Sequence, residues 1–102
     1  MLELRPTCEH CDKPLPPAST EARICSFECT FCAACVAGVL SNVCPNCGGG
    51  FVPRPIRPAH PWVGHAWLGE RPAATAKHHS PVDPARQAAL VAQLATIPPD
   101  ER

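Results

Sequence analysis

Cys25-Ser26-Phe27-Glu28-Cys29-Thr30-Phe31-Cys32-Ala33-Ala34-Cys35 and, eight residues later, Cys44-Pro45-Asn46-Cys47 decide how this chain folds. Working outward, a further pair, Cys8-x2-Cys11, lies thirteen residues before Cys25, and no cysteine follows Cys47. All 8 cysteines of the 102-residue chain therefore fall in one short segment. A stretch of about forty residues cannot bury enough apolar surface to offset its conformational entropy, so it needs staples. Disulfides or a metal are the two choices. The N-terminus MLELRPTCEH lacks the apolar stretch of a secretory signal, and no run of apolar residues is long enough to span a membrane. The expected setting is the reducing cytoplasm, where paired cysteines bind metal more often than each other. Two Zn²⁺ ions are expected, each held by four thiolates, with Cys8, Cys11, Cys25, Cys29, Cys32, Cys35, Cys44 and Cys47 as the ligands. A closed site of four thiolates leaves no position for water or substrate, so the expected role of the metal is structural.

Local signals fit this reading. Pro45 stiffens the last pair and Gly48 stands where φ > 0 is expected, as in a zinc knuckle. Cys32 and Cys35 lead into Val36-Ala37-Gly38-Val39-Leu40, a short helix whose positive N-terminal end suits thiolates. A knuckle combined with a helix that offers two ligands in its first turn is a treble-clef arrangement. Short strands are expected at Leu2–Leu4, Arg23–Phe27 and Phe51–Val52. The expected core is Leu4, Leu15, Ile24, Phe27, Phe31, Val36, Val39, Leu40 and Val43.

Beyond the cysteine domain at residues 1–52, two segments follow. Residues 53–82 are rich in Pro, Ala and His and are expected to be extended, because each proline fixes its own φ and pushes its predecessor away from helix. Residues 83–97 predict a C-terminal amphipathic helix: Asp83 as N-cap, Pro84 at the first position, and Leu90, Val91, Leu94 and Ile97 as the apolar stripe. That stripe is expected to dock on its own zinc domain or on a second copy of the chain, which makes a homo-oligomer an alternative; a dedicated site for another protein is the weaker reading. Trp62, Val63, Trp67 and Leu68 are expected to cover the thin zinc core. His10 competes with eight thiolates and is not expected to ligate. His60, His65, His78 and His79 would make a further metal site only if they converged, and solvated histidines are the expected reading.

Charge narrows the partners. Residues 1–50 carry five acids and three bases, a net −2, and residues 51–102 carry six bases and four acids, a net +2. Two Zn²⁺ with eight thiolates would bring the cysteine domain near −6. Such a surface suits a phosphate backbone poorly, so nucleic acid is not an expected partner and neither is a membrane. A protein partner, unidentified, is the expectation, and Pro55-Ile56-Arg57-Pro58 is a short PxxP ligand pattern of low specificity. Catalysis finds little support. There is no glycine-rich phosphate loop and no HExxH, and Ser19, Ser26, Ser41 and Ser80 have no recognisable base nearby, so the chain is not expected to be an enzyme.

The order of the pairs, with Cys29-Thr30-Phe31-Cys32-Ala33-Ala34-Cys35 and Cys44-Pro45-Asn46-Cys47, resembles a RING finger in which Cys29 replaces the usual histidine. The resemblance implies a cross-brace: Cys8, Cys11, Cys32 and Cys35 on one ion, and Cys25, Cys29, Cys44 and Cys47 on the other. Sequential pairing, with Cys8, Cys11, Cys25 and Cys29 together, remains the alternative. RING-type ligase activity does not follow. Ligase RINGs usually have an aliphatic residue where this chain has His10, often a tryptophan in the segment Val36–Val43, and often a basic residue at Gly48. The runs MLELRP, ARICSFECTFCAAC and CPNCGGGFVPRPIRPA also resemble the small bacterial family called domain of unknown function 1272. That likeness implies an uncharacterised cysteine-rich metal-binding protein and supplies no reaction. The function expected is a non-catalytic interaction or regulatory module, with a redox- or metal-responsive zinc switch as the alternative.

Overall fold

Only short elements form in a chain this rich in loops and proline, and the computed structural model, which describes residues 1–102, contains six of them. Strands β1 (Ala22–Ile24) and β2 (Thr30–Cys32) make an antiparallel hairpin, with Ala22 opposite Cys32 and Ile24 opposite Thr30. Between them the Cys25 N–H donates to the Cys29 carbonyl at 3.2 Å, and Glu28 turns the chain in the left-handed region at φ 64°. Strand β3 (Val52–Pro53) pairs with the far side of β1, giving the order β2-β1-β3. Pro53 has no N–H to donate, which an edge strand tolerates. Helix α1 (Ala33–Ala37) follows β2 directly and stops at Gly38. Helix α2 (Pro84–Leu94) and a 3₁₀ turn (Pro99–Glu101) complete the chain.

The core packs against the hairpin. Leu4, Leu15, Phe31, Leu40 and Val43 are buried together with Cys8, Cys25, Cys29, Cys32 and Cys44. Phe51 meets Phe31 edge-on, with ring centroids 5.5 Å apart. Two expected core residues lie outside it: Phe27 is 72% exposed and Val39 38% exposed. Phe27 stands at the tip of the β1–β2 turn, and Val39 lies past the end of α1, where the chain has already left the core. Ile24 and Val36 are half-buried. Leu2–Leu4 forms no strand, although Leu4 is buried and its carbonyl accepts from Ala74 N–H at 3.0 Å.

No helix or strand interrupts residues 54–83, yet this segment is tied to the domain. The Arg54 guanidinium, 4% exposed, donates to the carbonyls of Arg5 (2.9 Å), Leu15 (3.1 Å) and Pro16 (3.1 Å). Burial lowers its pKa, and the three carbonyls offset the cost of enclosing the charge. Farther on, residues 74–82 run back over residues 4–12. Ser80 N–H donates to Glu9 O at 2.7 Å, Val82 N–H to His10 Nδ1 at 3.1 Å, and Lys77 pairs with Asp12 at 3.2 Å. The expectation that the tail tryptophans cover the core fails for Trp62, which is 79% exposed. Its loop closes on itself instead, through Leu68 N–H to Pro58 O at 2.9 Å, and only Trp67 and Leu68 are half-buried.

Helix α2 begins as its sequence predicts. Asp83 accepts from Ala85 N–H (3.0 Å) and Arg86 N–H (3.3 Å), and Pro84 opens the first turn. The helix ends at Leu94 rather than 97, with Ile97 held in a turn by its N–H to Leu94 O. It docks on the cysteine domain of its own chain. Its stripe of Leu90, Val91, Leu94 and Ile97 is half-buried, and its one buried residue is polar: Gln87 donates to Leu40 O (3.4 Å) and Val43 O (3.0 Å). No helix is long and apolar enough to cross a membrane.

Candidate metal centre

The eight thiols are unbridged and gather in two groups. In the first, the Sγ atoms of Cys8, Cys11, Cys32 and Cys35 all lie within 4.8 Å of one another. Cys8 and Cys11 come from a tight loop in which Asp12 N–H donates to Cys8 O (3.0 Å) and Cys8 N–H to Lys13 O (2.9 Å). Asp12 holds the left-handed position at φ 62°. Cys32 caps α1 and Cys35 lies in its first turn, so three-residue spacing puts both sulfurs on one face. Cys11 and Cys32 are 3.8 Å apart, sulfur to sulfur. A tetrahedron with Zn–S of about 2.3 Å has edges of about 3.8 Å, whereas a disulfide needs about 2.05 Å.

The second group contains Cys25, Cys44 and Cys47, again within 4.8 Å of one another. Its loop repeats the first: Gly48 N–H donates to Cys44 O and Cys44 N–H to Gly49 O, both at 2.8 Å, with Gly48 at φ 77°. Each sulfur receives a backbone N–H at 3.4 Å, from Phe27 to Cys25, Asn46 to Cys44 and Gly49 to Cys47. Cys29, expected as the fourth member, borders Cys25 but falls outside this convergent set. The grouping is interleaved, pairing the first loop with Cys32 and Cys35 and the last loop with Cys25, and it does not follow the sequential alternative.

Burial is the main cause that pushes the Cys8, Cys29, Cys35 and Cys44 thiols above their ordinary range. For Cys11 burial works in the same direction but loses to the Lys13 backbone N–H and to hydrogen bonds from the Cys8, Cys35 and Cys32 thiols, and its pKa is lowered. Neutral thiols are poor nucleophiles and poor ligands. A thiophilic cation placed among them reverses the balance, because it favours the thiolates that burial disfavours. The residues present fit such an ion.

The histidines are not brought together. His10 spends Nδ1 on Val82 N–H, His60 stacks edge-on against Trp62, His65 faces Glu70, His78 faces Glu3, and His79 reaches the His10 carbonyl. Sequence reasoning missed Glu9, which lies inside the first cysteine loop and is 6% exposed. Its carboxylate accepts from Thr30 N–H in β2, from Arg5 Nη1 (3.0 Å) and from Asn46 Nδ2 (3.5 Å), and so joins the two cysteine loops. Its position inside a Cys-x2-Cys pair was the one available hint.

No solved structure matches the chain significantly. An uncharacterized protein of Rhizobium meliloti (strain 1021) is 54% identical over 77 residues, which are 76% of this chain and 84% of that protein. The family described as "Protein of unknown function (DUF1272)" matches residues 1–57, from the first residue through both cysteine loops, β3 and Arg54. By that match and by its relative, the chain belongs to the DUF1272 family.

Proposed function

We propose that this chain is a non-catalytic zinc protein: two Zn²⁺ ions hold a RING-like or treble-clef domain that serves the cytoplasm as an interaction or regulatory module. The observation that carries the reading is the interleaved gathering of the thiols, which no disulfide joins. Donors that are all sulfur favour zinc over harder ions. A metal bound in this way contributes ~10–16 kcal/mol to a fold too small to stand on its apolar core. The exposed Trp62 and Val63 offer contact area to a protein partner. The test is native mass spectrometry of freshly purified protein under reducing conditions. Two zinc ions per chain with no free thiol support the proposal; no zinc, or four disulfides, would sink it.

A second reading, a redox- or metal-responsive switch, draws on the exposure of Cys11 and Cys47. Ligated thiolates remain oxidisable, and two of them face solvent. Zinc release at mild peroxide doses favours the switch, and retention favours the structural module.

A further inference from the structure

We infer that Cys29 is the displaceable ligand of the second metal site, and that this site exchanges its metal by substitution of a small thiol for Cys29. The inference rests on the two-zinc reading and concerns how unequal the two sites are.

Geometry gives the first argument. Four sulfurs converge in the first group, but only three in the second, and the missing one is Cys29. Cys25, Cys44 and Cys47 each receive a backbone N–H at 3.4 Å, whereas no backbone N–H donates to Cys29 Sγ. Its neighbours are the Cys25 thiol and the side-chain amide of Asn46, and that amide is shared with the carboxylate of Glu9 at 3.5 Å. Outer hydrogen bonds of this kind are worth roughly ten- to a hundredfold in metal affinity. Cys29 is the ligand of its site least supported by them.

The main chain explains why. Cys29 occupies the longer Cys-x3-Cys spacing and stands directly before β2. Its carbonyl closes the β1–β2 turn, and the next residue, Thr30, is fully buried, paired with Ile24 and bonded through its N–H to Glu9. Strand register therefore fixes the backbone at residue 29. Cys44 and Cys47, by contrast, belong to a loop whose own hydrogen bonds aim both sulfurs at one point. Rotation about χ1 is what remains for Cys29 to approach or leave the other three. When a low-molecular-weight thiol enters, its proton passes to the departing Cys29 sulfur and its thiolate takes the vacated bond. Charge and ligand number are unchanged, and no oxidant is needed.

Zinc-loaded full-length protein, transferring its metal to the chromophoric chelator 4-(2-pyridylazo)resorcinol with and without glutathione, tests this. The expected result is two steps of one ion each, the first accelerated by glutathione. Amide NMR during the first step should show shifts near Cys25 and Cys44–Cys47 and leave residues 8–13 in place until the second. In Cys29→Ser the first step should quicken by about tenfold and the second stay unchanged, with amide dispersion retained. Release of both ions in one step, a first step indifferent to glutathione, or shifts that begin at residues 8–13 would each overturn the inference in the wild-type chain. So would a Cys29→Ser chain as unfolded and metal-free as Cys44→Ser. All of these outcomes presuppose two zinc ions at the start, so failure of the two-zinc reading is seen separately, by native mass spectrometry beforehand.

Discussion

The loops Cys8–Asp12 and Cys44–Gly48 are twins: each closes with the fifth residue's N–H on the first cysteine's carbonyl, and each puts that fifth residue at positive φ. Their partner pairs differ. The first loop faces Cys32 and Cys35, set by the start of a helix; the second faces Cys25 and Cys29, set by a hairpin turn. A helix turn projects two sulfurs to one side, whereas a hairpin turn places its two cysteines by strand register. Equal loops therefore yield a convergent set of four in one case and of three in the other. The lesson is that a Cys-x2-Cys spacing specifies half a site, and the element that carries the other half decides how well the site closes.

The largest effect should come from breaking the convergent set. Cys32→Ser removes one of the four thiols that converge and also disturbs the junction of β2 and α1, and the expected outcome is loss of amide dispersion across residues 1–57. Acidification reaches the same end more gradually. Metal binding needs thiolates, so affinity falls as protons return, and circular dichroism of the loaded chain should decline as pH is lowered. For any structure the metal-free chain retains the sign is opposite. Burial, foremost, raises Cys35 and Cys44 above the ordinary thiol value, so that structure is favoured below this value and weakened as pH rises past it.

A middle-sized effect should come from cutting the link between the two halves. Glu9→Ala leaves the Thr30 N–H without its acceptor and Arg5 with only the longer Glu3 contact at 3.6 Å, at a cost of about 3 kcal/mol in denaturant unfolding of the zinc-loaded protein. A change under about 0.5 kcal/mol would show that the carboxylate is a bystander. The smallest effects compare the twin loops directly. Gly48→Ala forces a side chain into the left-handed region, with its Cβ 2.9 Å from Leu94 Cδ1, and should cost about 2 kcal/mol. Asp12→Gly should come out near zero, because the relief of about 1 kcal/mol at φ 62° is set against loss of the solvent-facing Lys77 pair. Equal and opposite results at the two positions would mean that strain alone distinguishes the loops.

What was legible in the sequence was local chemistry. Cysteine spacing points to both loops, Gly48 marks its turn, and Asp83-Pro84 marks the start of α2 to the residue. Long-range polar contacts left no such trace. Nothing in VPRPIRP shows that Arg54 will be enclosed by three carbonyls while Arg57 reaches Leu2 O at 2.8 Å. The apolar stripe of α2 predicts docking, but the residue that seats it is Gln87, which shares the face of Leu90, Val91 and Leu94 by spacing yet is polar, so hydrophobicity does not mark it. Phe27 reads as core by hydrophobicity, and turn geometry puts it outside. Cys29 satisfies the spacing rule, yet spacing carries no information about strand register.

The return of residues 74–82 over the first cysteine loop has a practical use. Ala74, Ser80 and Val82 belong to no helix or strand, and their amide protons are held by Leu4 O, Glu9 O and His10 Nδ1. Slow deuterium uptake at Ser80 and Val82 thus depends on the loop beneath them being intact. Hydrogen exchange in an irregular segment becomes a gauge of the first cysteine group, readable at amides far along the chain from any sulfur.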